Sequence, residues 1–459
     1  MAIPEGLRVA LNEIRETSIE SGTLYAKYVE EILPSSDFGS WVQPILEVPK
    51  VMNEFMSELV QKIVYTQLEI RLFRNPLQVL EGDSIPLGSI GEEIFINPVV
   101  GRRFNVDDFA GLLAKYEADV KVQYHKVNSD IQYPVTITKA KIKYSFVSWS
   151  ELNAFIEGIT TALYNGAYID RYNMTKGLVS TAYAGNNVKI QVVNNPIGSD
   201  SYAKALVETA RKLFLNFQAP SSDYNAWAQV GGYGNAILTY TPKEDIVMLV
   251  RNDVLATLDV NVLASAFNMD KTTLMGNIIG VNDFDEYEAV KQADGSIIRH
   301  KIFDGSAILG ILCDKRWFRI KQQDFEMDEF YNANNRTWQY YLNVVRMYSY
   351  SLFSNAVVFA TSAPQVAITG MTLDKEEVEV DAGETAKVKI TTEPFQANYP
   401  TITVSSSAEA VATATITGKE ITITGVASGA EADGEATITV SAGNISKTIS
   451  VVVPYVAGE

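Results

Sequence analysis

The chain has 459 residues, 47% hydrophobic and 20% charged, which fits about two to four globular domains and excludes a disordered chain. Its 38 Lys and Arg against 55 Asp and Glu leave a formal charge of −17, a balance that repels phosphate backbones and anionic membranes and argues against sequence-reading DNA binding. One cysteine, Cys313, rules out an internal disulfide, and two histidines, His125 and His300, rule out Cys/His zinc clusters, a paired-His metalloprotease helix and most His-dependent triads.

The opening residues Met1-Ala-Ile-Pro-Glu-Gly-Leu-Arg8 pass quickly into charge without a signal-peptide apolar stretch. No window approaches the roughly 18 apolar residues of a membrane span. These features predict folding in a reducing cytoplasm with no membrane partner. Further along, Val135-Thr-Ile-Thr-Lys-Ala-Lys-Ile-Lys-Tyr144 is β-branched and strictly alternating, so it reads as a strand with Lys139, Lys141 and Lys143 on one face. Ser148-Trp-Ser-Glu151 is a capping box. Leu152, Phe155, Ile156, Ile159, Leu163 and Ala167 follow at helical spacing, predicting a long helix that reaches about Tyr183. A second amphipathic helix is predicted over Tyr202–Phe217, burying Leu206, Leu213 and Phe217.

Downstream, Gly231-Gly-Tyr-Gly234 lacks the Lys-Ser/Thr of a phosphate loop and reads as a plain loop. Asp283-Phe-Asp-Glu-Tyr-Glu288 lacks EF-hand spacing and glycine, and reads as a solvated acidic loop. Asp294-Gly295 and Asp304-Gly305 read as hairpin turns. Ile308-Leu-Gly-Ile-Leu-Cys313 is a core strand carrying an inert buried thiol. Trp338-Gln-Tyr-Tyr-Leu-Asn-Val-Val-Arg-Met-Tyr-Ser-Tyr350 fits helix or strand equally. Nothing marks out a catalytic carboxylate pair among the acids, so no enzyme and no cofactor is expected.

Composition changes sharply after Phe359. From Gln365 onward there is no Arg, no Trp and no Met after Met371, while Thr, Val, Ile, Ala, Ser and Glu dominate. Thr361-Ser-Ala-Pro-Gln-Val366 reads as a linker across which few contacts pass. Beyond it Thr385, Lys387, Lys389 and Thr391 alternate with Ala386, Val388 and Ile390, and turns at Ala382-Gly383, Thr417-Gly418 and Ala442-Gly443 help separate about seven short strands, the pattern of a β-sandwich.

This last segment resembles the bacterial immunoglobulin-like group 2 family through Val378-Glu-Val-Asp-Ala-Gly383, Thr392-Glu-Pro394, Ser405-Ser-Ser-Ala-Glu-Ala-Val-Ala412 and Gly434-Glu-Ala-Thr-Ile-Thr-Val440. Thr403 stands near the position where many members carry a core Trp. The rest resembles the major capsid proteins of phi-29-like short-tailed phages, with the Hong-Kong-97-type capsid fold. The resemblance rests on colinear stretches including Asn75-Pro-Leu77, Ile85-Pro-Leu-Gly88, Phe146-Val-Ser-Trp149, Leu258-Asp-Val-Asn-Val-Leu-Ala-Ser-Ala-Phe-Asn-Met269, Asp314-Lys-Arg-Trp-Phe318 and Trp338-Gln-Tyr-Tyr341.

The resemblance implies an α+β chain. A capsid shell domain over 1–360 contains an N-terminal arm, an extended loop at about 90–144, a spine helix at about 149–183 and an axial domain at about 185–324. A linker at 361–365 leads to an all-β immunoglobulin-like sandwich over 366–456. It further implies self-assembly into hexamers and pentamers that form a phage head enclosing double-stranded DNA as non-specific cargo. A scaffolding protein and a portal are the implied partners, and the bacterial host cytoplasm is the implied place of assembly. Lys139, Lys141 and Lys143 are then candidate inter-subunit contacts, lying over an acidic patch of a neighbour, against the alternative of an ordinary solvated edge that discourages aggregation. The alternative is a bacterial surface adhesin or other binding protein that carries an immunoglobulin-like module.

Overall fold

The computed structural model describes residues 3–63, 73–101, 114–115, 117–138, 146–231, 236–258, 277–292, 297–427 and 432–455. They fall into two units. The first comprises Met1–Glu92, Tyr124–Thr175 and Phe318–Ser349, and the second Glu93–Gln123, Lys176–Trp317 and Tyr350–Glu459.

In the first unit, helices α1 (Glu5–Glu20), α3 (Phe38–Glu47) and α4 (Pro49–Ile63) each turn an apolar stripe inward, and the single turn α2 (Tyr25–Tyr28) buries Tyr25. Leu7, Leu11 and Ile14 of α1, Trp41, Val42 and Ile45 of α3, and Met52, Phe55 and Leu59 of α4 are all buried, at the spacing a 3.6-residue period requires. Asp37 caps α3, its carboxylate accepting from Ser40 N at 3.0 Å. Glu54 accepts from Leu24 N and Tyr25 N at 2.7 and 2.9 Å, satisfying donors that the start of α2 leaves open.

These helices share a core with the first part of the long helix α5 (Trp149–Ala184) and a three-stranded sheet. Ser148 caps α5, with Glu151 N donating to Ser148 Oγ at 3.2 Å, and Leu152, Ile156, Ile159, Leu163 and Ala167 are buried along one stripe. Trp41 lies 4.8 Å from Trp149 and 5.8 Å from Phe55 between ring centroids.

Among the described residues before 361 the strands are β1 (Gly91–Ile96), β2 (Val120–His125), β3 (Ser129–Thr138), β4 (Lys189–Val192), β5 (Ile246–Arg251), β6 (Ile278–Val281), β7 (Glu286–Lys291), β8 (Ile297–Phe303), β9 (Ile308–Asp314), β10 (Phe318–Asn332), β11 (Thr337–Tyr350) and β12 (Ala356–Ala360). In the first unit the sheet order is β10-β11-β3. The aromatic stretch that fits helix or strand is therefore a strand, β11, and it pairs antiparallel with β3 from Thr337↔Thr138 to Arg346↔Ser129.

A charged knot sits in the same unit. Both carboxylate oxygens of Glu81 accept from Arg171 of α5, and Arg346 Nη1 of β11 lies 3.5 Å away. Arg346 is 4% exposed and donates to Gln322 Oε1 at 2.7 Å. Burial, reinforced by the Arg346 charge, pushes the Arg171 guanidinium down to about 10. Beyond Glu81 the backbone runs along β10, Gly82 N donating to Ile320 O and Ile85 N to Gln322 O, both at 2.9 Å.

In the second unit the sheet order is β4-β12-β9-β5-β6. Every residue of β9 is buried, and burial holds the Cys313 thiol well above its usual range, hence protonated and inert. Helix α6 (Asp200–Asn216) covers this sheet with Leu206, Ala210, Leu213 and Phe214 against Leu309, Leu312, Val357 and Phe359.

Two sequence expectations fail here. Asp304-Gly305 is not a hairpin turn: β8 pairs with β7, whereas β9 pairs with β5 and β12. The residues form a short 3-10 turn in which Asp304 accepts from Ser306 N at 3.1 Å. Gly305 is required there because a Cβ would lie 2.2 Å from the carbonyl oxygen of Phe284. Asp283–Glu288 is not a solvated loop either. Phe284 is fully buried, and Asp283 pairs with Lys176 of α5, whose side chain is 1% exposed. A buried ammonium needs a counter-ion, and that need draws the acidic run inward. The turn Asp294-Gly295 lies outside the described residues, although β7 and β8 on either side of it pair antiparallel from Tyr287↔Lys301 to Lys291↔Ile297.

Residues 370–453 form a sandwich of two four-stranded sheets. One contains β13 (Gly370–Leu373), β15 (Thr385–Glu393), β17 (Ala412–Thr417) and β18 (Glu420–Gly425). The other contains β14 (Glu377–Glu379), β16 (Thr403–Ser406), β19 (Gly434–Ala442) and β20 (Ile445–Val453). Val388, Ile390, Ile421 and Ile423 meet Ile438, Val440, Ile449 and Val451 in its core. Gly383, Gly418 and Gly443 take φ of 86°, 63° and 59°, the left-handed conformation that tight turns between strands demand. Thr403 points outward, and Ile402 and Val404 on either side of it pack against the core.

Replacing the carboxylate shared by Arg171 and Arg346 leaves two crowded guanidinium groups without it. Glu81→Gln is expected to cost about 3–5 kcal/mol in the urea unfolding of the full chain. A loss below about 1 kcal/mol would contradict this assignment.

Candidate assembly surfaces

Strands β1 and β2 pair as a two-stranded ribbon, extended by Asn97 N donating to Asp119 O at 2.9 Å. Along β1 the side chains alternate, and both faces carry purpose. On the inner face, Glu93 accepts from Ser351 Oγ at 2.8 Å and the Phe95 ring lies 5.7 Å from Phe353. Gln123 of β2 donates to Tyr350 O and accepts from Leu352 N, each at 2.9 Å. Asn97 grips the backbone of Ala236 and Leu238 at 3.2 and 3.0 Å. These polar anchors fix the ribbon.

On the outer face Ile94 and Ile96 are 57% and 61% exposed beside the carboxylate of Glu92; just beyond the strand Val99 and Val100 are 83% and 88% exposed, and Val120 of β2 is also exposed. Exposed branched side chains clustered on an anchored ribbon make it a candidate interaction surface, because lone exposed apolar residues are ordinary but clustered ones are not. Sequence reasoning selected no residue in this stretch. The signal was available in Glu93-Ile-Phe-Ile-Asn-Pro-Val-Val100, where a strand-like run carries apolar side chains on both faces.

The three lysines singled out from the sequence, Lys139, Lys141 and Lys143, lie outside the described residues. Strand β3, which leads toward them, ends at Thr138, with Ile137 buried and Thr136 and Thr138 exposed. Gly231 closes a short helical turn, Trp227–Gly231, and Gly232–Gly234 lie outside the described residues.

The titratable groups of the second unit serve structure. Lys176 donates to Asp283 and to Asn282 Oδ1, the latter at 3.3 Å, and its ammonium lies 5.7 Å from the centre of the Tyr287 ring. At Asp285 burial works to raise the carboxyl, but the Lys301 ammonium at 2.8 Å and the Gly305 N–H outweigh it, so the group sits below its usual range. In the first unit His125 is buried with Nδ1 2.7 Å from Ser349 Oγ, whereas His300 of the second is exposed on β8. Among the described residues no three His, Cys, Asp or Glu side chains gather as a metal site, and no helix is long and apolar enough to cross a membrane.

A mixed helix-and-sheet body followed by an all-β sandwich is the architecture of a capsid-type structural protein that carries an appended module, and comparison with known proteins shows that class. Residues 11–360 match the Phi29-like phage major capsid proteins and residues 367–453 the bacterial Ig-like domain (group 2). The chain belongs to the Phi29-like phage major capsid protein family.

The major capsid protein of Bacillus phage B103 is 29% identical over 343 residues, covering 74% of this chain and 70% of that protein. That of Bacillus phage PZA is 29% identical over 316 residues, covering 68% and 64%. The chain thus spans about two thirds of the length of these relatives. The capsid structure of Staphylococcus phage Andhra aligns with a TM-score of 0.52 at 14% identity, covering 63% of this chain and 85% of that one, which shows the shared fold. The chain is a virion protein of the capsid shell, with a Hong-Kong-97-type body and an immunoglobulin-like sandwich. It stands with head proteins rather than with the surface adhesins that the sandwich alone would suggest.

If the outer face of the ribbon is covered on assembly, Ile94→Asp with Ile96→Asp leaves the monomer folded and removes about 2 kcal/mol per contact, about 30-fold in association. Circular dichroism together with sedimentation velocity checks both halves. Normal assembly of the double variant would exclude the ribbon from the lattice.

Proposed function

We propose that the chain builds the phage head as hexamers and pentamers around double-stranded DNA, each copy laying the outer face of its β1–β2 ribbon on a second copy. The observation that carries this reading is the pairing of polar anchors on the inner face with exposed isoleucine and valine on the outer. In this reading residues 90–144 are the extended loop that reaches the neighbour, α5 is the spine, 185–324 form the axial part around the capsomer centre, and 366–456 decorate the exterior. A net charge of −17 suits a container, since a wall rich in lysine would hold the packaged phosphate backbone and hinder its release. A scaffolding protein and a portal are the expected partners, assembly takes place in the bacterial cytoplasm, and no catalytic step is assigned.

Lys139, Lys141 and Lys143 belong to the same proposal as contacts to an acidic patch of the neighbour, each worth about 0.2–1 kcal/mol. Co-expression with the scaffolding protein followed by negative-stain imaging tests the whole. Closed shells are expected, and soluble monomers under every assembly condition would overturn it. In the same assay K139E/K141E/K143E should lower shell yield at low salt and recover as salt screens the repulsion. A wild-type yield at low salt would make these lysines an ordinary solvated edge.

A further inference from the structure

We infer that the C-terminal sandwich is latched to the end of α5 and does not hang on a free linker. Helix α5 closes in a tight turn, Asn186 N donating to Tyr183 O at 2.9 Å and Asn187 N to Ala182 O at 2.8 Å. Asn186 takes φ of 53°, the left-handed conformation in which glycine is the usual residue at a helix end. Asparagine tolerates that conformation better than most side chains, and it keeps an amide that glycine lacks. This amide reaches the sandwich, with Asn186 Nδ2 donating to Gln396 O at 2.8 Å. The Asn186 carbonyl accepts in turn from Gln229 Nε2 at 2.7 Å.

The acceptor is itself braced. Lys419 donates to Thr392 Oγ1 at 2.7 Å and to the Phe395 carbonyl, and Thr392 Oγ1 donates to Pro394 O at 2.9 Å, so the loop carrying Gln396 is held from within the sandwich. A second tie lies on the last turn of α5. Tyr183 is buried, and its hydroxyl donates to Ser362 O at 2.7 Å.

The segment expected to carry few contacts is therefore bonded on both sides. At its start Thr361 N donates to Ala307 O at 2.9 Å, beside the Tyr183 tie. At its end Asn398 Nδ2 donates to Pro364 O at 2.9 Å while Asn398 Oδ1 accepts from Val366 N at 2.8 Å. A latched sandwich holds one orientation in every copy, so an assembly presents its sandwiches alike and not as mobile tails. The latch is a property of the single chain and does not depend on the proposed lattice contacts.

The full chain carrying Tyr183→Phe and Asn186→Gly tests it. Glycine relieves the left-handed backbone at position 186 while removing the amide, so the variant keeps the helix end and loses both ties. Cleavage by subtilisin within 361–366 should become about tenfold faster, because cleavage of a transiently opened segment follows the population that is open. The thermal unfolding of the remainder should not change. Equal cleavage rates in the two proteins overturn the latch. If the double variant fails to fold, Tyr183→Phe alone must still raise the rate several-fold, and no rise there also overturns it.

Discussion

Apolar surface that a single chain leaves in water is the constraint on which the rest of this structure depends. Ile94 and Ile96 are held in solvent by a ribbon whose other face is bonded down through Glu93, Phe95, Asn97 and Gln123, and Val99 and Val100 follow just beyond its first strand, also exposed. Anchoring costs conformational freedom, and it is of use only if the exposed face is needed in one fixed place. A floppy loop with the same side chains would lose that entropy at each contact with a neighbour. A ribbon already ordered in the monomer has lost it beforehand, so more of the apolar burial is left for association.

The buried charges do comparable work inside each unit. Lys176 draws Asp283 inward and so places the start of the antiparallel β7–β8 pair, while Phe284 and Gly305 close on each other behind it. Glu81 joins Arg171 of α5 to Arg346 of β11 at the point where the chain leaves the 3-10 turn Pro76–Leu80. Pairs of this kind add little net stability over an apolar filling, but breaking one strands a charge. They make particular arrangements of strand and helix hard to replace by near alternatives. A shell built from many copies depends on such uniformity.

Local signals made part of this readable from the amino acids. The capping box at Ser148 and the stripe from Leu152 to Ala167 suffice for α5, because both depend on neighbours in sequence. The sandwich was legible for the same reason: alternation and glycines at left-handed turns are short-range. Trp338–Tyr350 was not, since Trp, Tyr, Leu and Val suit either state in isolation and its strand form comes from pairing with β3, about 200 residues earlier in register. Asp283 was misread because its partner, Lys176, is distant in sequence. Gly305 was misread because its need for glycine comes from Phe284. The bonds made by the linker segment were not legible, because small residues and a proline say nothing of what their backbone bonds to. At the assembly surface, the exposed isoleucines went unnoticed because an apolar residue in a strand looks like core until its neighbours are known.

Hydrogen–deuterium exchange on the full chain, before and after assembly with its scaffolding protein, tests the central claim most directly. If a second copy covers the ribbon, amides of 93–97 and 120–123 slow by about tenfold or more on shell formation, while those of the buried strand β9 do not change. Closed shells in which the ribbon amides exchange as fast as in the monomer would contradict the account.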